Sequence, residues 1–329
     1  MPCYYPITGY KAKKCNPETG KRSIVFNKRD GYIDRPVVVP CGRCIGCRLE
    51  YSRQWAIRCV HEAQMHEHNS FITLTYNERN LPDDKSIHKE EIQAFFKRFR
   101  KHLTNEHGSE KDPEKPGRFR PRVPIRYFAC GEYGEEKGRP HYHAIIFGYS
   151  FPDRYLYTVR NGNPLYRSPE LESLWNKGHS LIGECTFESA AYVARYVTKK
   201  WKKHHEEEEE TEIDMERVHI NRETGEITEV EPEFCLMSRN PGIGATWLKK
   251  FKSDTDKDFI TINGTVMSLP KYYDMLLERE DPKAMMRRKG KRIANFNEEE
   301  NTFERLVTRE KVKIAQVGLL KRDLEEKEI

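Results

Sequence analysis

The sequence lacks any long hydrophobic run: no stretch of its 329 residues approaches the roughly 20 apolar residues of a membrane span. The opening Met1-Pro2-Cys3-Tyr4 has no signal-peptide character. Cysteine is odd in number, nine residues, and three of them crowd into Cys41, Cys44 and Cys47. Thiols so distributed argue against a secreted disulfide framework and suit a metal site in a reducing compartment. No repeat of fixed period is visible. What remains is an expected soluble, cytosolic protein of one large or two smaller domains, with ample length for a buried core.

Charge is unevenly spread. The net of +6 combines 34 Lys and Arg against 23 Asp and Glu in residues 1–200, 4 against 13 in residues 201–233, and 20 against 16 in residues 234–329. A basic first part with 11% aromatic residues overall has the composition of a polyanion binder, and equally of an ordinary basic surface. The acidic stretch includes five consecutive glutamates, Glu206 to Glu210, and reads as a solvated linker or insertion. The expected divisions are a Cys-rich N-terminal module with a helix (1–66), a central domain (67–203), the acidic segment (204–233) and a mainly helical C-terminal region (234–329).

Leu49 to His66 is composed of helix formers, and Glu91 to Leu103 sets Ile92, Phe95, Phe96, Phe99 and Leu103 on one helical stripe. Phe71 to Tyr76, Ile125 to Cys130 and His141 to Phe147 are β-prone, the last two reading as a hairpin with a long connection. Thr186 is placed to cap a helix from Glu188 to Trp201. Strands and helices alternate irregularly and the one clear strand pair is antiparallel, so the expected fold class is α+β.

Two constellations point to phosphate chemistry. On a strand, His141 and His143 share a face and converge on one point, as two nitrogen ligands of a divalent metal must, while Tyr142 points away. Surface and core histidines give the same pattern, so the pair needs support. Glu132 supplies it: hairpin pairing can bring its carboxylate beside the imidazoles, and such a set with open positions would polarise a phosphate oxygen. Glu135 and Glu136, at the turn tip, are rival ligands.

The second constellation lies on the helix after Thr186. Ala190, Val193, Ala194, Val197 and Trp201 form an apolar face, which places Tyr192 and Tyr196 on the opposite side with Arg195, Lys199 and Lys200 around them. A surface tyrosine pair with snorkelling cations fits this pattern. So does nucleophilic catalysis. A phenol of pKa about 10 needs nearby positive charge to act as a phenolate at neutral pH, and the same charge stabilises a phosphate transition state.

Cys41-Gly-Arg-Cys44-Ile-Gly-Cys47 contains two C-x-x-C steps that share their middle residue, with glycines that permit tight turns. Three thiolates are local, and Cys3, Cys15, Cys59 and His61 are candidates for a fourth ligand. Structural Zn²⁺ fits better than iron–sulfur, because a tetrahedral site lets a short, loop-rich segment fold without a large core. Three reduced cysteines in a basic loop are the plain alternative. Cys130, Cys185 and Cys235 read as buried thiols.

Thr73-Leu74-Thr75-Tyr76, Arg139-Pro140-His141-Tyr142-His143 and Tyr192-x-x-x-Tyr196-x-x-Lys199-Lys200 resemble, in order, motifs one, two and three of the HUH endonucleases of the rolling-circle initiator type. The two-tyrosine motif resembles the gene-A-type initiators of microviruses. The opening Cys-Tyr-Tyr-Pro and the stretch Pro40 to Trp55 resemble the replication initiators of the gokushovirus branch of Microviridae. The resemblance covers residues 1–250 in order. It implies a central antiparallel sheet of about five strands flanked by helices, following the Cys-rich module and preceding a C-terminal helical extension. It implies Mg²⁺ or Mn²⁺ on His141, His143 and Glu132, and Tyr192 and Tyr196 as nucleophiles assisted by Lys199 or Lys200. Arg139 and Arg195 would contact DNA. The implied substrate is a viral DNA origin, single-stranded or in a supercoiled replicative form, with host helicase and polymerase as partners in a bacterial cytoplasm.

Pro241 to Lys250 reads as a glycine turn entering a helix, whose N–H groups either receive a phosphate or are plainly capped. Phe303 to Glu328 reads as a charged helix with a thin apolar seam. Two classes of function follow: a metal-dependent DNA nickase and strand transferase, or a non-catalytic zinc-containing nucleic-acid-binding protein. A transposase of the same chemistry usually employs one tyrosine. The pair Tyr192 and Tyr196 favours the nickase.

Overall fold

The computed structural model describes residues 3–18, 20, 22–113, 115–134, 138–160, 162–199, 218–220 and 227–319, without the side chains of 195–199, 218–220, 227 and 228. Two compact units result, one from residues up to 51 together with 292–319, the other from 52–199 and 218–291. No described helix is long and apolar enough to cross a membrane.

In the first unit, β1 (Ile7–Ala12), β2 (Ile24–Val25) and β3 (Gly31–Val39) form an antiparallel sheet in the order β2-β1-β3. Ile7 pairs with Val39, so the segments carrying Cys3 and Cys41 leave the same end of this sheet. The helix expected from Leu49 starts one turn earlier, as α1 (Ile45–Ala63).

The second unit continues with β4 (Asn69–Tyr76), α2 (Lys89–His107), β5 (Ser109–Lys111), β6 (Phe119–Pro121), β7 (Arg126–Tyr133) and β8 (Pro140–Phe147). Next come β9 (Tyr155–Arg160), β10 (Asn163–Arg167), α3 (Pro169–Trp175), β11 (Gly178–Gly183) and α4 (Phe187–Lys199). After β12 (Val218–Ile220) and β13 (Ile227–Glu229) follow β14 (Phe234–Met237), α5 (Ala245–Lys250), β15 (Phe259–Ile262), β16 (Thr265–Ser268), α6 (Lys271–Glu280) and α7 (Pro282–Ala294). The expected charged C-terminal helix is α8 (Phe303–Gly318), in the first unit, with the Arg305 N–H donating to Thr302 Oγ1 at its start.

Seven strands make one wholly antiparallel sheet in the order β14-β7-β8-β4-β11-β10-β9. The class is α+β as expected, and the sheet is larger than the anticipated five or so strands. The β9–β10 hairpin widens one edge. At the other, β14 comes from a region read as mainly helical; its short run Phe234-Cys235-Leu236-Met237 pairs with Phe128 to Gly131 and covers the open edge of β7.

Every residue of β8 is buried, so the alternation of the strand sorts its side chains between two covered faces. Tyr142, Ala144 and Ile146 join Ile72, Leu74 and Tyr76 of β4 against the α2 stripe Ile92, Phe95, Phe96, Phe99 and Leu103. The stripe is the one its periodicity predicted, and each such side chain contributes roughly 1.5–3 kcal/mol by burial. His141 and His143 take the other face, where α4 packs on β7, β8 and β14. Gly131 is a requirement of this arrangement: a Cβ there would stand 2.9 Å from the Phe234 ring and 3.2 Å from that of Tyr142.

A second core in this unit brings Ile57 of α1 together with Trp247, Ile260, Ile262, Tyr273 and Leu277. The hairpin β15–β16 turns on Asn263 and Gly264, both at positive φ, an Asn-Gly turn that the sequence reading passed over. The glycine turn before α5 does not present free N–H groups to a phosphate. Gly244 N–H donates to Glu62 Oε2 at 2.7 Å, so a carboxylate of the chain itself fills the anion position and the plain cap applies. Glu206 to Glu210 lie outside the described residues, and the described part of the acidic segment includes the β12–β13 pair.

Candidate active site and metal centre

β7 and β8 form the predicted hairpin, with Glu132 directly opposite His141 and Cys130 opposite His143. Residues opposite each other in a pair share a face, so Glu132, His141 and His143 converge. Oε1 of Glu132 lies 2.8 Å from His141 Nε2 and 2.7 Å from His143 Nε2. The ligand atoms of all three buried residues stand within 4.8 Å of one another.

Neighbouring groups aim the imidazoles. His141 Nδ1 lies 2.9 Å from the carbonyl oxygen of Arg139, which only accepts, so Nδ1 carries a hydrogen and Nε2 is turned toward Glu132. His143 Nδ1 pairs with Thr73 Oγ1 at 2.9 Å. Phe71 stacks on the His143 ring at 5.6 Å and Tyr192 meets it edge-on at 5.1 Å.

Nε2 at 2.8 Å from a carboxylate oxygen calls for positive charge between them, supplied by a proton on the ring or by a metal cation. Glu132 Oε2 is also buried without a hydrogen-bond partner among the described residues. Both observations fit a divalent cation held by two imidazole nitrogens and one carboxylate. Burial alone would raise the Glu132 carboxyl, but the positive charge and hydrogen bonds of His143 and His141 in their protonated form outweigh it and lower it to about 2. It is therefore anionic at neutral pH.

Tyr192 corrects an expectation. The helical period put it opposite the apolar stripe of α4, yet it is only 6% exposed, and its hydroxyl donates to Glu132 Oε1 at 3.2 Å. Ala190, Val193 and Ala194 of the stripe are buried as well. α4 is covered on more than one side: Ser52 Oγ of α1 donates to the Ala191 carbonyl at 2.9 Å, beside the sheet contacts of the stripe. The capping prediction holds, with Thr186 Oγ1 accepting from Ser189 N–H and Ser189 Oγ accepting from Thr186 N–H. Tyr196, Arg195 and Lys199 lie on α4 but their side chains are outside the described residues, as are Lys200, Glu135 and Glu136 altogether.

Arg139 spends its guanidinium within the chain. Nε and Nη2 donate to the Tyr76 carbonyl at 3.1 and 2.7 Å and Nη1 to Glu78 Oε1 at 2.6 Å, which pins the start of β8 to the end of β4. Tyr142, left between core and solvent by the sequence, lies in the core with its hydroxyl 2.9 Å from that of Tyr76. Thr73 is the site residue whose role the sequence reading missed. Strand alternation could have found it, since it is the direct partner of His143 in β4.

Residues 69–201, from the first residue of β4 to just beyond α4, match the family model of the replication-associated protein ORF2/G2P. The chain is 30% identical over 250 residues to the replication-associated protein VP4 of Bdellovibrio phage phiMH2K, covering 75% of this chain and 70% of that protein. It is also 30% identical over 253 residues to the replication-associated protein ORF2 of Spiroplasma virus 4, covering 74% and 68%. The chain belongs to this family, the replication-associated proteins of gokushovirus-type microviruses. The replication-associated protein ORF4 of Chlamydia phage 1 is 33% identical over 168 residues, 50% of this chain and 38% of that protein. No solved structure matches.

This replication-associated protein has a second group able to hold a metal. The Sγ atoms of Cys3, Cys41, Cys44 and Cys47 lie within 4.8 Å of one another. Of the residues considered for the fourth position, Cys3 is the one brought in. Cys15 is exposed, Cys59 belongs to the second unit, and His61 stacks on Trp247 with Nδ1 2.9 Å from the Tyr273 hydroxyl. The Cys47 thiol donates to Cys44 and holds the latter well below the usual thiol range. Cys130 is buried as expected, while Cys185 and Cys235 are half-buried.

Proposed function

We propose that this protein is an HUH-type, metal-dependent, site-specific DNA nickase and strand transferase that starts and ends rolling-circle replication of a small single-stranded phage genome. One observation carries the reading: the Tyr192 hydroxyl lies 3.2 Å from the carboxylate oxygen that both imidazole Nε2 atoms face. A nucleic-acid-binding protein without catalysis has no need of a phenol at a buried His-His-Glu centre. Membership in a family of phage replication-associated proteins supports the same reading.

His141, His143 and Glu132 would hold Mg²⁺ or Mn²⁺, which supplies Lewis-acid polarisation of a phosphate oxygen. Thr73 and the Arg139 carbonyl keep the two Nε2 atoms directed inward. Phe71 and Tyr192 wall the His143 ring and limit water around it. The Tyr192 oxygen attacks the scissile phosphorus, the P–O3′ bond breaks, and the phenolic proton passes by way of solvent to the departing 3′-oxygen. The products are a 5′-phosphotyrosine and a free 3′-hydroxyl. The bond energy is conserved, so the reverse attack by a 3′-hydroxyl rejoins the strand without a nucleotide cofactor.

Tyr196 stands one helical turn from Tyr192, so a second nucleophile can cut the regenerated origin while the first still holds a strand. Lys199 or Lys200 would stabilise the phenolate, and Arg195, together with whatever donors of Arg139 remain outside its internal bonds, would contact the DNA. The partners are the viral origin and, for extension of the 3′-hydroxyl, host helicase and polymerase in the bacterial cytoplasm. Incubation with single-stranded origin DNA and Mn²⁺ tests the reading: a covalent protein–DNA adduct with a released 3′-hydroxyl fragment is expected, and its absence refutes catalysis.

A further inference from the structure

The N-terminal sheet has almost nothing to hold it together by hydrophobic burial. Within its strands only Gly9, Ala12 and Gly31 are buried, while Ile24, Ile33 and Val38 stand exposed. A three-stranded sheet without an apolar face is not independently stable in water. Among the described residues, the buried cluster of this unit consists of Cys3, Tyr4, Cys44, Cys47 and Leu306, so three of these five are thiols.

The sulfurs are arranged for a cation. Cys41 and Cys47 Sγ are 4.0 Å apart, too far for a disulfide, and all four cysteines are free. Tetrahedral Zn–S bonds of about 2.3 Å place sulfurs about 3.8 Å apart. Backbone N–H groups point at them: Cys41 N–H to Cys3 Sγ at 3.2 Å, Tyr4 N–H to Cys44 Sγ at 3.4 Å, and Arg43 and Cys44 N–H to Cys41 Sγ at 3.4 Å each. A neutral thiol is a weak acceptor, whereas a thiolate rewards each of these donors.

We propose that Cys3, Cys41, Cys44 and Cys47 bind one Zn²⁺ as a closed tetrathiolate, and that this ion replaces a hydrophobic core in joining the N-terminal sheet to α8. The sheet register supports the first half, because the Ile7–Val39 pairing brings Cys3 and Cys41 out at one end. α8 supports the second: Leu306 is buried on the thiol cluster, and the Tyr5 hydroxyl donates to Glu310. Four protein ligands leave no open position, so the ion is structural. A closed site of this kind forms whether or not the protein nicks DNA.

Full-length protein purified without chelators should contain about one zinc per chain. Replacement by Co²⁺ should give thiolate-to-cobalt charge transfer and the intense visible bands of tetrahedral coordination. Cys3→Ser should weaken zinc retention against a chelator by more than about 100-fold, beyond the effect of losing an outer-sphere partner, whereas Cys15→Ser should leave it unchanged. Hydrogen exchange should quicken in residues 303–318 and 7–39 when zinc is withdrawn, with residues 140–147 unaffected. Iron in place of zinc, or an octahedral cobalt spectrum in the wild-type chain, overturns the site. Unchanged exchange in 303–318 after zinc removal overturns the coupling to α8.

Discussion

Thr73 and His143 face each other across β4 and β8, and the threonine Oγ1 lies 2.9 Å from His143 Nδ1. The contact fixes the plane of the ring and directs Nε2 at Glu132. Thr73→Val keeps the shape and removes the oxygen. We expect it to lower Mn²⁺ affinity and adduct yield by about 10–100-fold with unchanged far-UV circular dichroism. Equal metal titrations of variant and wild type would remove Thr73 from the site.

His143→Ala and Glu132→Gln each take away a ligand of the buried centre. Both should abolish covalent adduct formation, and so should EDTA on the wild type. Binding of single-stranded DNA, measured by fluorescence anisotropy, should persist, because Lys and Arg contacts to phosphate supply most non-specific affinity. Adduct formation at full rate in EDTA would show that the centre is not metal-dependent.

Mass spectrometry of the adduct identifies the nucleophile. Tyr192→Phe and Tyr196→Phe should each retain some nicking of short oligonucleotides yet fail at repeated rounds, and the double variant should form no adduct. A DNA-linked peptide outside residues 187–199 would refute the assignment to α4.

Glu62 is buried and serves three partners: Arg126 Nε at 2.5 Å, His66 Nε2 at 3.3 Å and Gly244 N–H at 2.7 Å. Burial raises its carboxyl, yet these partners prevail and leave it below the usual value. Glu62→Ala takes the carboxylate from a half-buried guanidinium, which keeps its bond to the Pro241 carbonyl, and leaves the Gly244 N–H uncapped; it should cost about 1–3 kcal/mol. Urea unfolding of the full chain would show this as a lower midpoint, and an unchanged midpoint would contradict it.

Burial pushes the His61 imidazole from 6.5 down to about 3. Below the unfolded value the unfolded chain binds a proton that the native ring refuses, so stability is full above about pH 6.5 and falls as the pH drops toward 3. The slope from this group approaches about 1.4 kcal/mol per pH unit. Urea midpoints at a series of pH values should show the loss, and His61→Phe should flatten that part of the profile. An equally steep profile in the variant would assign the loss to other groups.

Local pattern by itself determined much of this protein. The period of Ile92, Phe95, Phe96, Phe99 and Leu103 specified the buried face of α2, and strand alternation put His141 and His143 on one side with Tyr142 on the other. The hairpin pointed to Glu132, and the C-x-x-C steps pointed to a thiol cluster. These features depend on neighbours a few residues away, whose relative directions follow from helix and strand geometry. Only the tertiary structure decided which surfaces were covered. Tyr192 looked outward on its helix and is buried because Glu132, 60 residues earlier, lies beneath it. Gly244 looked open to phosphate and is capped by Glu62, 182 residues away. Cys3 became the fourth thiol through the pairing of β1 with β3, and Phe234 to Met237 became a strand because β7 had an open edge. Each outcome rests on contacts between segments distant in the chain, and no periodicity within one segment records what will pack against it.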